Sequence, residues 1–561
     1  MVKRLGTEIL NFFSVFACLF ITCVLVFEIS FHLTEVNREL FAKIHRYIFY
    51  YFSIDVFLRI WFVKKSPRYI LTHFLDMALI IPLLGLFFRD IPFFSSILTI
   101  QIVLLIVLVG RVRYVVHLFN ILKFNPAQLF LMGFGFTILI GSLLLSLPIS
   151  LKGQTEISFV DSVFTATSAV CVTGLIVQDT GTFFSAFGQS VILVLVQIGG
   201  LGIMAFSALL ALFLQRKMSS TESVELQESY ASSGLKETFS MMKFIFSFTL
   251  LFEAIGAIVL FFYWYPQTGN LYQTLFYSVF HSVSAFCNAG FSLFSDSLIG
   301  EALSFPVIGI ISLLIILGGL GFPVIYNLRY HAYKIHGIRR LRLQTKLTVL
   351  LTFILIVVGT LIIWIGEAGH ALVGMTFWEQ GLTSFFQSVT TRTAGFNTIE
   401  LGSLRTATLW IMLILMFIGA SPGSTGGGIK TTTFGLLVAA FWNTIRSRKQ
   451  IEMMGRTIPY HFVFKAVAII IISSIIVITF FYLLLLTESG GFFPILFETI
   501  SAFGTVGLSV GMTEQLTKVG KILIILLMFI GRVGPLSIAF ALARRRSKPN
   551  YAYPEERILL G

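Results

Sequence analysis

The sequence predicts an all-α membrane protein: four M1–pore helix–M2 repeats around a pseudo-fourfold pore, preceded by four additional transmembrane helices. Three observations carry this. The 561-residue chain is 56% hydrophobic and 12% charged, with a mean hydropathy of +0.91, where a soluble domain carries about a quarter charged residues. Its apolar runs come in two lengths, one long enough to span a bilayer and one too short. A small-residue motif ending in glycine recurs four times at roughly equal spacing.

The first element, ILNFFSVFACLFITCVLVFEISF, is too long for the apolar core of a signal peptide and lacks a small-residue cleavage site, so it reads as a span. Residues 1–120 supply four such runs. Cys18, Cys23, Cys171 and Cys287 all lie in apolar surroundings without metal or disulfide spacing and read as packing residues.

Four units follow, at 121–220, 221–340, 341–458 and 459–561. Their motifs are TATSAVCVTGL, HSVSAFCNAGF, FQSVTTRTAGF and ETISAFGTVGL, ending on Gly174, Gly290, Gly395 and Gly507. Each motif closes a short run placed between two long ones. FVDSVFTATSAV has 12 residues, roughly 18 Å of helix, so it must enter the membrane and return.

The net charge of +14 reports orientation. Lys and Arg gather in MVKR, VKKSPR, RYHAYKIHGIRRLRLQTK, RSRKQIEMMGR and ARRRSK, while TESGG and GEAGHALVG carry none. Basic loops stay in the cytoplasm. This places the N-terminus inside and all four glycine motifs outside, and it argues against nucleic-acid binding.

Irregular backbone at membrane depth survives only when it is buried or lines a water-filled cavity. Four such turns suggest a ring in which carbonyl oxygens replace the hydration shell of a cation, with the negative ends of the short helices pointing inward. The expected filter comprises Val172, Thr173 and Gly174; Asn288, Ala289 and Gly290; Thr393, Ala394 and Gly395; and Thr505, Val506 and Gly507. It contains no carboxylate, which favours a monovalent ion. The competing reading is small-residue packing between helices.

These residues, with GGGIKTTT and GRVGPL, resemble over 121–561 the membrane subunit of the Ktr/Trk/HKT superfamily of potassium transporters. The resemblance implies a potassium pore in one chain, homodimerisation in membrane lipid, and a cytosolic nucleotide-binding (RCK-type) ring. Any nucleotide would then sit on that partner subunit, and no cofactor is expected on this chain. In the superfamily the chain resembles, serine at the first filter glycine goes with sodium permeability, so Gly174 implies potassium. Coupling to sodium stays open.

GASPGSTGGGIKTTT interrupts the second helix of the third unit, about 25 residues past Gly395. A phosphate loop needs lysine directly after its last glycine; here Ile429 intervenes before Lys430. The stretch reads instead as a broken helix obstructing the conduction path, and the resemblance agrees that it is a gate. The gate residues are Gly419, Ser421, Gly423, Ser424, Thr425, Gly426, Gly427, Gly428, Lys430 and Arg532. Arg532 is expected to repel cations and bond the loop's carbonyls, whereas Lys430 could equally snorkel to the interface. Arg392 is expected to brace a pore helix, and Glu253 and Glu498 to pair or pack.

Residues 51–84 resemble the second and third helices of voltage-sensor-like domains, with Asp55 and Arg59 on one face and Asp76 on the next helix. The fourth helix has only Arg111 and Arg113, so docking or dimerisation fits better than voltage sensing. The competing functions are a secondary transporter of an organic solute and a non-transporting membrane sensor. No enzymatic chemistry is indicated.

Overall fold

A computed structural model describes residues 35–62, 126–153, 156–213, 235–333, 341–448 and 450–535, and the single positions 17, 100, 103 and 104. Cys18, Cys23, Asp76, Arg111, Arg113 and the side chain of Arg59 lie outside the described residues. So do the basic clusters at 1–4, 63–68 and 543–548.

Helix α1 (Glu35–Phe62) comes from the N-terminal segment and packs Ile48, Phe49 and Phe52 against Ile100, Val103 and Leu104. Four sets of helices follow. The first is α2 (Pro126–Leu145), α3 (Phe159–Val170) and α4 (Ala186–Phe213). The second is α5 (Leu235–Thr268), α6 (Leu271–Cys287), α7 (Phe305–Leu320) and α8 (Phe322–Tyr333). The third is α9 (Leu343–Glu367), α10 (Phe377–Thr390), α11 (Thr406–Phe417) and α12 (Thr431–Ile445). A hairpin, β1 (Ile451–Met453) with β2 (Arg456–Ile458), leads into α13 (Tyr460–Thr487), α14 (Phe492–Gly504) and α15 (Lys518–Val533). Met454 and Gly455 turn the hairpin with positive φ at both positions.

Local chemistry fixes where the short helices start. The Ser158 hydroxyl accepts from Asp161 N at 3.2 Å to cap α3, and Asn270 Oδ1 accepts from Gln273 N at 3.2 Å to cap α6. Glu379 reaches back to Thr376 N at 2.7 Å to open α10.

Helices Ser240–Thr268, Leu343–Glu367 and Tyr460–Thr487 are long and apolar enough to cross a membrane, and α7 with α8 forms a fourth candidate bent by 95°. Their outer faces are inverted relative to a soluble protein: Phe262 is 72% exposed and Ile365 80%. An apolar belt on this scale needs lipid around it. The chain is a multi-pass membrane protein.

The sets close into a ring. α4 packs on α6, α7 on α10, α11 on α14, and α15 returns to α3. An ion pair between Lys521 Nζ and Asp161 Oδ1, at 2.6 Å, joins the last set to the first across 360 residues. Each short helix is thus held between its own set and the preceding one, with its C-terminus buried at the centre.

The second helices depart from the sequence reading, in which only the third was interrupted. α4 carries Gly202 at φ 76°, α7 and α8 part at Gly321 with φ 90°, and α15 stops at Gly534 with φ 86°. Glycine alone among the residues adopts this region without strain. An apolar run containing one such residue still reads as continuous.

Candidate functional site

The site is assembled where the four short helices end. After each one the chain repeats the same backbone path. The residue two before the glycine takes positive φ: Val172 at 56°, Asn288 at 59°, Thr393 at 82° and Thr505 at 50°. The glycines follow at 90°, 70°, 86° and 90°. A left-handed β-branched residue is strained, and surrounding structure must enforce it.

The enforcing contacts are amide hydrogen bonds back to the helix. Thr173 N donates to Ser168 O at 2.8 Å, Ala289 N to Ser284 O at 2.8 Å, Ala394 N to Thr390 O at 2.9 Å and Val506 N to Ser501 O at 2.9 Å. With the amides turned outward, the carbonyls face the other way. Among the described residues, none of the carbonyl oxygens of 172–174, 288–290, 393–395 and 505–507 accepts a hydrogen bond. More than nine in ten buried backbone carbonyls are normally paired, so twelve unpaired together is a built feature.

The four segments surround one centre. A Cβ placed on Gly290 would lie 2.7 Å from Ala394 O, and one on Gly395 would lie 2.5 Å from Val506 O. One on Gly507 would strike Thr173 O, and one on Gly174 would strike Ala289 O. Each glycine therefore faces the carbonyl of the next segment, and the fourth faces the first. All twelve residues that the sequence marked are in this ring.

The ring separates two cavities. One of about 310 Å³ is lined by the four glycines and by Asp179, Asp296, Glu400 and Glu514, one carboxylate from each set. The other, about 750 Å³, is bounded by the 418–430 loop and contains Lys430 and Arg532.

That loop lies against the ring. Gly427 N donates to Thr505 Oγ1 at 3.0 Å, and a Cβ on Gly426 would strike Thr393 Oγ1. Thr425 N donates to Gly318 O at 3.2 Å and Ser421 N to Gly319 O at 3.1 Å. Within the loop, Ser424 Oγ donates to Ser421 O at 2.6 Å, and a bridge pairs Ile418 with Ile429. Gly419 and Gly428 touch there, and Gly423 and Gly428 take φ of 70° and 67°.

Arg532 is 6% exposed and donates through Nη1 to Thr425 O and through Nη2 to Gly199 O, tying the last set to the loop and to the first set. Lys430 Nζ turns back onto Gly426 O at 2.7 Å instead of reaching outward. The other singled-out charges lie behind the ring. Arg392 Nη2 approaches Thr352 Oγ1 at 3.5 Å, tying the ring segment to α9. Glu253 meets Gln197 Nε2 at 3.3 Å and the Cys287 thiol at 3.9 Å.

Three contributors escaped the sequence reading. Gly199, Gly318 and Gly531 let the second helices touch Val170 O, Phe286 O and Phe503 O at the short-helix ends. Their signal is GGLG, GGLG and GRVG at 199–202, 318–321 and 531–534, each about 25 residues past a motif glycine.

Residues 128–552 match the family model TrkH, cation transport protein. The chain is 40% identical over 449 residues to Ktr system potassium uptake protein B of Bacillus subtilis, covering 78% of this chain and 97% of that one. It is 37% identical over 446 residues to the potassium/sodium uptake protein NtpJ of Enterococcus hirae, covering 78% and 98%. The crystal structure of the potassium transporter TrkH from Vibrio parahaemolyticus superposes with a TM-score of 0.61 at 18% identity, over 84% of this chain and 96% of that one. A ring of unpaired carbonyls held by four short helices is thus carried on a transporter's sequence and a transporter's fold, and the chain, which is not an enzyme, belongs to the TrkH family of cation transport proteins.

Proposed function

We propose that this chain takes up potassium across the cell membrane through the central ring, which acts as the selectivity filter of four M1–pore helix–M2 repeats. The twelve unpaired carbonyls support this most strongly, because a dehydrated alkali cation is the partner such a ring lacks. The short-helix C-termini add negative potential at the centre. Asp179, Asp296, Glu400 and Glu514 raise the cation concentration at the outer mouth. Potassium is the ion named for the relatives, and Gly174 fits that choice; the name of NtpJ adds sodium as a candidate second ion.

The 419–430 loop is the gate. It occupies the path on the cytosolic side of the filter, and Arg532 holds it there while opposing cations with its own charge. Opening requires Arg532 to release Thr425. In this reading the N-terminus is cytoplasmic, two copies associate, and a cytosolic nucleotide-binding ring moves the loop.

Radiolabelled rubidium uptake into proteoliposomes tests the proposal. Uptake suppressed by potassium far more than by sodium is expected; no uptake, or equal suppression, contradicts it.

A further inference from the structure

Resting on the filter reading, we propose that His281 and Glu498 are positioning residues that clamp the outer edge of the filter on two opposite sides, giving the outer mouth twofold rather than fourfold character. The two occupy one register. His281 precedes Gly290 by nine residues, and Glu498 precedes Gly507 by the same nine. Each reaches a serine two residues beyond its glycine, Ser292 or Ser509.

His281 Nδ1 donates to Tyr277 O at 2.8 Å, which leaves Nε2 as an acceptor 3.4 Å from Leu293 N and 3.0 Å from Ser292 Oγ, whose single proton is shared between Nε2 and Ser297 O at 3.1 Å. Phe294 stacks on the imidazole at 4.7 Å and Trp264 meets it edge-on at 5.1 Å, the three rings packing as one cluster. Glu498 Oε2 accepts from Ser509 Oγ at 2.8 Å, and Oε1 accepts from Thr513 Oγ1. The serines pass the constraint on: Ser292 Oγ accepts Phe294 N at 3.0 Å, and Ser509 Oγ accepts Gly511 N at 3.2 Å. Both clamps therefore bolt the strand leaving the filter to the helix entering it.

At this register the other two repeats lack the device; the third ties helix to outer strand elsewhere, with Thr398 Oγ1 donating to Gln387 Oε1 at 3.5 Å and Thr390 Oγ1 to Phe396 O at 2.8 Å. At the same register stand Thr165, whose hydroxyl bonds only Asp161 O of its own helix at 2.9 Å, and the buried apolar Phe386. The matching outer residues are Ile176 and Asn397. Since the repeats close in cyclic order, the second and fourth stand across the pore from one another. When His281 or Glu498 loses its serine, the outer strand beyond that glycine is held by fewer bonds, and the glycine's backbone freedom lets its carbonyl direction vary.

The test compares Ser292→Ala, Ser509→Ala, the double variant, Glu498→Ala, Glu498→Gln and Thr165→Ala as full-length protein in proteoliposomes. The readout is the ratio of sodium to potassium concentrations that halve rubidium uptake. Losing one buried hydrogen-bond partner should lower this ratio about tenfold. The double variant should lose more, Glu498→Gln should recover most of the ratio because it keeps an acceptor, and Thr165→Ala should match the unaltered protein. If both serine variants take up rubidium with the unaltered ratio, the clamp is refuted while the filter stands. If the unaltered protein shows no potassium preference, the filter reading itself fails, and the clamp with it.

Discussion

The second helices of the second and third sets break at the same depth, in different ways. Between α7 and α8 one residue does it: Gly321 turns the chain by 95°, and its carbonyl is taken up at once by Val324 N at 3.1 Å and Ile325 N at 3.2 Å. Between α11 and α12 the break runs from Ile418 to Lys430, and many of its anchors belong to other sets: Gly318, Gly319, Thr505 and Arg532. The kink is short and rejoins a helix at once, yet its Phe322 N donates to Gly423 O at 2.9 Å and its Gly318 and Gly319 carbonyls accept from the loop, so it is the frame on which the loop rests. A loop tied to foreign partners can be released by moving them, which is what a gate requires.

One deletion and four substitutions would break or sharpen this contrast. Deleting Gly423–Gly426 removes the obstruction and should produce the largest rise in rubidium uptake; unchanged uptake would leave the loop without a gating role. Arg532→Ala should come next. Each charge-assisted hydrogen bond is worth about 1.5–3 kcal/mol, so losing the bond to Thr425 should raise uptake by roughly tenfold or more. Gly321→Ala and Gly202→Ala form a matched pair. Both positions pair positive φ with extended ψ, a region open essentially to glycine alone, so each should lose about 1–3 kcal/mol of stability, read as a lower Tm. A Cβ at 321 would also lie 2.5 Å from Pro422 O of the loop, whereas one at 202 meets nothing within 4 Å. Only Gly321→Ala should therefore alter uptake as well. Lys430→Met should act least, since its ammonium bonds carbonyls of its own loop.

The sequence revealed what depends on short stretches. The glycine motifs encode their own turns, because Ser168 and Ser284 supply the carbonyls that fix them six or fewer residues away. The loop stood out because glycine, serine and proline have no other reason to gather inside an apolar helix. Closure of the ring was not legible. It depends on Lys521 meeting Asp161 and on Arg532 bridging Thr425 and Gly199, pairings separated by hundreds of residues. The kinks at Gly202, Gly321 and Gly534 were hidden for a different reason: hydropathy counts glycine as tolerable in a span and does not register its backbone angle. The outer clamps were partly visible, since Glu498 stood out as an acid in an apolar run, but Ser509 and Thr513 could be recognised as its partners only in three dimensions.

The carbonyl ring itself can be observed directly by crystallising the protein in rubidium and recording anomalous scattering at the rubidium edge. The account predicts peaks on the central axis, level with the carbonyl oxygens of Thr173, Ala289, Ala394 and Val506, which fade when sodium replaces rubidium. An axis without density, or rubidium held only by the carboxylates of the outer cavity, would contradict it.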